Sequence, residues 1–252
     1  MSGYYNHYYH YSNTLSIIAA LYLPTIFTIK WYMSDKQPLR STFYNNLLGV
    51  WNLFLGISSG IGAYYLVPFI IHDIQENGLN SSICIGKYMN NDLVTHIVIL
   101  FNFSKFLEFV DTLFIVSRKS HLDFLHYYHH IVTCIYCWVG GYLQITTGVY
   151  FAGINLFVHA IMYSYYALVA FDLNIFYKYR KCITVIQITQ MFAGIYVICS
   201  WLYNCTNDSN SMYHIIHHVA GLVMYMSYAY LFSKLFFAPK PIRDSKPLLK
   251  TE

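Results

Sequence analysis

Charge is scarce in this sequence: 10% of its 252 residues are Asp, Glu, Lys or Arg, where a soluble domain carries about 25%. A chain that is 57% hydrophobic with mean hydropathy +0.41 and so little charge is excluded from the ordinary soluble class. The formal net charge of +4 sits in a few short clusters, so no polybasic surface for nucleic acid is expected. Long linkers and low-complexity stretches are also missing, which leaves one domain over residues 1–252. The first twelve residues, MSGYYNHYYHYS, lack the basic flank and small-residue cleavage pattern of a signal peptide.

Long apolar runs are present instead. About 20 apolar residues cross the ~30 Å hydrocarbon core of a bilayer. Seven such runs stand at 14–33, 44–71, 93–117, 123–143, 148–171, 182–203 and 213–237. The expected fold is all-α and polytopic, with seven transmembrane helices. Residues 1–13 form a segment before the first span, and residues 238–252 a tail after the last. Gly56, Gly60 and Gly62 allow close helix approach, and Pro24 and Pro68 are expected to kink or end their helices.

Basic residues orient the chain. Thirteen of the 15 Lys and Arg lie in connections or flanks on one side, from Lys30, Lys36 and Arg40 to Lys250 at the C-terminus. Lys87 stands alone on the other side, and Lys105 falls inside a span. The excess of positive charge on cytosolic loops places the N-terminus in the lumen and the C-terminus in the cytosol. The acceptor sequons at Asn80, Asn204 and Asn207 then fall in lumenal loops. Cys84 and Cys205 share that oxidising side, and a disulfide between them is expected.

Polar groups interrupt the apolar runs in a pattern. His126, His129 and His130 in DFLHYYHHIVTCIY fall within an arc of about 100° on a helix. Ionisable groups inside a membrane are costly and mark functional sites. Lys105, Glu108, Asp111 and Thr112 in KFLEFVDTLF share a face about 120° wide. Asn155, His159, Met162 and Tyr166 form a stripe about 60° wide with Tyr163 beside it. Gln187 and Gln190 follow one turn apart in TVIQITQ. At 1.5 Å rise per residue these faces converge roughly 5–18 Å from the cytosolic end of the bundle. A chamber open to the cytosol, with an apolar tunnel beneath it, fits that placement.

A second H-x-x-H-H at His214, His217 and His218 raises a rival, the membrane di-iron desaturases and hydroxylases. Topology weighs against it, because the second box starts on the lumenal side, about 30 Å from the first. It reads as an interfacial histidine group without catalytic role. No cysteine-rich or carboxylate-rich ligand set accompanies the first box, so no metal is expected there. A receptor or transporter with seven spans is a further alternative of another class.

KFLEFVDT, HYYHH, VHAIMYSYY and TVIQITQ together resemble, in order and spacing, the four signature segments of the ELO fatty-acid elongases. The resemblance runs from about Arg40 to Phe237, and is greatest to the branch acting on saturated and monounsaturated acyl chains of roughly palmitoyl length. It implies an acyltransferase of the endoplasmic reticulum membrane, although KPLLKTE supplies only Lys250 of a dilysine address. The reaction implied is condensation of long-chain acyl-CoA with malonyl-CoA to 3-oxoacyl-CoA, CO2 and CoA, the first step of an elongation cycle, in an acyl tunnel enclosed by the helices. No cofactor is implied beyond these substrates. Membrane lipid and the reductases and dehydratase of the cycle are the implied partners, with a homodimer left open.

Chemistry then distributes the residues. His129 is expected to attack the acyl thioester, with His159 facing it, or to act as general base in a direct condensation without a covalent intermediate. Asp111 or Glu108 would orient His130 or His126, and Asn155, Gln187 and Gln190 would donate hydrogen bonds to carbonyl or enolate oxygens. Lys105 stands i, i+3 from Glu108, a pair able to neutralise itself inside the span, and with Arg118, Arg180 and Lys181 it is a candidate to attract CoA phosphates; Thr112, Tyr163 and Tyr166 are expected along the substrate path. Cys134 and Cys137 are alternative nucleophiles, disfavoured because a buried thiol resists ionisation.

Overall fold

The computed structural model describes residues 2–206 and 212–237; the sequon at Asn207 and the tail at 238–252 lie outside the described residues. Among these residues the chain folds as nine α-helices with short connections: α1 (Ser2–Tyr32), α2 (Thr42–Asn77), α3 (Leu79–Ile85), α4 (Asp92–Leu107), α5 (Phe109–Ser117), α6 (Phe124–Tyr142), α7 (Gly148–Ala170), α8 (Arg180–Asn204) and α9 (Met212–Phe237). Short 3-10 segments of four and six residues precede α4 and α8. Six stretches are long and apolar enough to cross a membrane, with α4 and α5 counted as one. The seventh expected span is α6, 19 residues long, whose three histidines lower its hydropathy.

Local chemistry sets the helix ends. The Ser41 side chain accepts from the Tyr44 amide and starts α2, and Asn91 does the same for Val94 at the start of α4. An N-cap oxygen satisfies an amide that has no partner within the helix. Gly78, with φ of 75°, turns α2 into α3, a backbone conformation that favours glycine. Two sequence expectations change. Residues 2–13 extend α1 rather than preceding it, and Pro24 and Pro68 lie inside α1 and α2 without ending them. A proline removes one ladder bond, and the uninterrupted turns on either side carry each helix through.

Packing follows small residues. A Cβ on Gly56 would stand 3.1 Å from the Ser164 amide nitrogen, and one on Gly153 would stand 2.6 Å from Ile70. The two long helices α2 and α7 therefore meet at backbone distance along a glycine seam, as membrane helices do. Large apolar side chains turn outward instead: Ile57, Ile61 and Tyr64 on α2 are 55–72% exposed, a surface suited to lipid.

The two ends of the bundle are held differently. At one end the basic connections interlock: the Arg40 Nε donates to the Arg118 carbonyl, and the Lys119 Nζ donates to the carbonyls of Ser34 and Lys36. At the other end a disulfide joins Cys84 to Cys205, with the Cα atoms 5.5 Å apart. Tyr88 donates to the Ile145 carbonyl there at 2.9 Å. The sequons at Asn80 and Asn204 are exposed at this same end, beside Ser200.

Candidate functional site

The apolar helix 92–117 is interrupted at Glu108, where α4 gives way to α5. That break sits where buried charge enters the bundle. Lys105 Nζ lies 2.6 Å from Glu108 Oε1 and donates to Asn155 Oδ1 at 2.8 Å. All three residues are buried. A buried charge persists only when it is paired and hydrogen-bonded, and this pair satisfies both conditions. Lys105 also lies over the Phe101 ring, 4.4 Å from its centre.

The ion pair fixes a proton on His159. Lysine only donates, so the contact with Lys105 identifies the Asn155 oxygen and leaves its amide nitrogen facing His159 Nε2 at 3.1 Å. That ring nitrogen must then accept, which puts the ring proton on Nδ1, 3.5 Å from Glu108 Oε1. Both nitrogens of His159 are thus engaged. Glu108 Oε2 also stands 4.0 Å from His130 Nδ1, a buried atom without a hydrogen-bond partner. One carboxylate therefore faces two rings from different helices.

The three box histidines have different surroundings. His126 Nε2 bonds Thr112 Oγ1 at 2.9 Å, and Thr112 bonds the Tyr22 hydroxyl at 2.7 Å. This chain ties α6 through α5 to α1. His130 is buried behind the box, its ring centre 4.3 Å from that of His126. His129 turns the other way, towards α9, with its ring centre 4.8 Å from that of Tyr228.

Tyr228 also sets the His129 tautomer. Its hydroxyl donates to the His129 carbonyl at 3.2 Å, which consumes the phenol proton. Thr133, 3.0 Å from Tyr228, must then donate to the phenol oxygen. Its own oxygen is left to accept from His129 Nδ1 at 3.5 Å, the outer edge of hydrogen-bond reach. Among the described residues no group bonds the Nε2 lone pair of His129.

A cavity borders this face. His129, Thr133, Asn155 and Gln190 line one part of it, apolar walls including Phe101 and Phe151 follow, and His217 and Tyr88 line the opposite part. Of the first histidine box, only His129 lines the cavity.

The chain matches the ELO profile, described as the GNS1/SUR4 family, over residues 8–242. The chain belongs to the ELO family. It is 33% identical over 260 residues to a protein named fatty acid elongase 3 from Trypanosoma brucei brucei, covering 90% of this chain and 81% of that protein. It is equally identical, 33% over 224 residues, to very long chain fatty acid elongase 6 from Homo sapiens, with 88% and 82% covered. Long chain fatty acid elongase 1 from Caenorhabditis elegans is 33% identical over 232 residues, with 91% and 79% covered.

Within this ELO chain several sequence expectations move. Lys105, expected near CoA phosphates, is 2% exposed and committed to Glu108 and Asn155. Asp111 does not face the histidines: its two oxygens accept from Trp51 Nε1 and the Tyr163 hydroxyl, each at 2.7 Å. That leaves Glu108 as the carboxylate beside His130 and His159. Gln187 donates to Met162 Sδ at 3.1 Å rather than into the cavity, while the buried Gln190 lines it. Tyr166 is 39% exposed, away from the ion-pair cluster, and Thr112 bridges Tyr22 and His126. Cys137 lines the cavity, whereas Cys134 packs with Tyr22 and Phe109.

Two rings of the second box are packed inside the bundle, while His214 is half-buried. His217 and His218 are 6% and 0% exposed. His218 stacks on Trp201 at 3.6 Å, bonds Thr147 at 3.1 Å and meets the His214 carbonyl at 2.8 Å. Trp51, Thr133 and Tyr228 are site residues that sequence reasoning missed. The spacing of Tyr225, Tyr228 and Phe232 on one face of α9 was the available signal for Tyr228, and it is masked among 27 tyrosines.

Proposed function

We propose that this protein condenses long-chain acyl-CoA with malonyl-CoA, giving 3-oxoacyl-CoA, CO2 and free CoA, with His129 as the nucleophile. The observation that carries this reading is that His129, alone of its box, lines the cavity with an Nε2 that no described residue bonds. In the first half-reaction Nε2 attacks the thioester carbonyl, the C–S bond breaks and CoA leaves as the thiol, taking the imidazole proton. In the second, malonyl-CoA loses CO2, its enolate carbon bonds the acyl carbon, the C–N bond to His129 breaks, and the departing imidazole nitrogen takes a proton from water, restoring the neutral ring.

The surrounding residues have matching roles. Asn155 and Gln190 present amide groups to the cavity, suited to a developing oxyanion. His159 has both ring nitrogens occupied, so it is assigned to positioning: it locks the Asn155 amide. Glu108 and Lys105 hold that lock from beneath, and Asp111 ties α2, α5 and α7 together around it.

The signature segments HAIMYSYYAL and FLHYYHH support saturated and monounsaturated acyl chains as substrates, and the relatives named very long chain fatty acid elongase 6 support fatty acid elongation. The basic connections support a cytosolic mouth with the disulfide end in the lumen, hence seven spans and an endoplasmic reticulum address. The reductases and dehydratase that complete elongation belong to the same reading. Incubating the purified protein with labelled malonyl-CoA and acyl-CoAs of graded length should yield 3-oxoacyl-CoA two carbons longer than the primer. Release of CO2 without chain extension would remove the condensing activity from this reading.

A further inference from the structure

The end of the cavity away from His129 carries a polar group that the condensation does not use. His217 is 6% exposed and lines the cavity. One face of its ring stacks on Tyr136, with centres 4.1 Å apart and planes 14° apart. Its Nε2 sits against Gly140, where a Cβ would stand 3.1 Å away. Glycine at this position of α6 makes room for the imidazole. Its box partners have fixed bonds: His214 Nε2 reaches the Leu143 carbonyl at 3.1 Å, and His218 reaches Thr147 and the His214 carbonyl. Among the described residues the His217 ring makes ring contacts and no hydrogen bond.

We propose that this end of the tunnel is a subsite for the hydroxyl of an ω-hydroxylated acyl chain, bound by the His217 imidazole. The inference rests on the reading of the cavity as an acyl tunnel. A neutral imidazole offers one N–H donor and one lone-pair acceptor, and a hydroxyl can meet either. A terminal methyl meets neither and leaves the buried ring unsatisfied. A terminal carboxylate is disfavoured, since no Lys or Arg is among the described residues lining the cavity and an unpaired buried charge is costly.

The spacing suits a chain of ordinary length. His129 and Gly140 are eleven positions apart on α6, about 16 Å of helix rise. At ~1.25 Å per methylene, from a ~1.5 Å bond at the tetrahedral angle, roughly a dozen methylenes cover that span.

The test compares ω-hydroxyacyl-CoAs with methyl-ended acyl-CoAs of matched length, from twelve to sixteen carbons, extended with labelled malonyl-CoA by the full-length protein. The wild type should favour the hydroxylated chain in kcat/KM by about tenfold at the best-fitting length. His217→Phe keeps the stack on Tyr136 and removes the hydrogen bond, so it should invert the preference towards the methyl-ended chain. His217→Gln should retain part of the hydroxyl preference. Each ratio is taken within one preparation, so loss of folded protein cancels, and the wild-type and Gln ratios decide the matter if the Phe variant does not fold. Equal or lower turnover of the hydroxylated chain by the wild type overturns the subsite and leaves water as the occupant. An unchanged ratio in His217→Phe overturns the role of His217. Failure to extend either chain overturns the condensation reading itself, a result distinct from extension without hydroxyl preference.

Discussion

The same H-x-x-H-H spacing occurs twice in this molecule and is used in two ways. In the first box the rings lie beside a buried ion pair: Glu108 stands within 4.0 Å of both His130 and His159 and bonds Lys105 at 2.6 Å. In the second box the rings lie on aromatic faces, His217 on Tyr136 and His218 on Trp201, and the described contacts of His218 are Thr147, Trp201, His217 and a backbone carbonyl. Spacing alone therefore does not specify chemistry. What differs is the neighbouring helix: the break in 92–117 brings a carboxylate to the first box, while α8 and α6 bring aromatic rings to the second.

Equivalent substitutions in the two boxes should separate them. His129→Ala should lower product formation by at least about a thousandfold, as removal of an activated nucleophile does, with the folded fraction unchanged by size-exclusion chromatography. Turnover within tenfold of wild type would place the nucleophile elsewhere, and Cys137→Ala in the same assay would show whether the thiol takes that role. Glu108→Gln should cost about a hundredfold in kcat, because it removes the negative charge and one of the two acceptor oxygens facing His159 and His130 and leaves Lys105 buried with neutral partners alone. Lys105→Met combined with Glu108→Gln should recover thermal stability without recovering activity, which distinguishes charge balance from positioning.

Smaller effects sharpen the contrast. Tyr228→Phe removes the donor to the His129 carbonyl and the acceptor for Thr133, and should lower kcat about fivefold to tenfold with little change in KM. His218→Ala, in the second box, should leave kcat within about twofold while destabilising the protein by roughly 2–4 kcal/mol, since it opens a cavity against Trp201 and orphans Thr147. Thermal unfolding in detergent measures the latter. A large loss of kcat without loss of stability in His218→Ala would erase the distinction between the boxes.

Much of this was legible in the residues. Apolar runs located the helices because a bilayer demands length, and helical angles brought Lys105, Glu108, Asn155 and His159 to one level. Angles do not say which helix lies opposite, however. Asp111 shares an arc with Lys105 and Glu108, yet it turns to Trp51 on α2 and Tyr163 on α7 because the ladder shifts at Glu108. The i, i+3 spacing of Lys105 and Glu108 already pointed to a buried ion pair, which forms at 2.6 Å; the part that spacing could not show is Asn155, on α7, as the second partner of Lys105. Pro24 and Pro68 carry a sequence signal for interruption that their long helices absorb. A place near a helix start says nothing of what covers His217 and His218; their rings are buried on Tyr136 and Trp201, both distant in sequence.

The central claim is that His129 Nε2 carries the acyl group between the two half-reactions. Mass spectrometry of the protein incubated with acyl-CoA alone tests it most directly. The account predicts one acyl mass added to the peptide containing His129, one free CoA released per active chain before malonyl-CoA is present, and discharge of the adduct when malonyl-CoA is added. No adduct and no CoA release until malonyl-CoA arrives, in a preparation that then forms 3-oxoacyl-CoA at full rate, would contradict it.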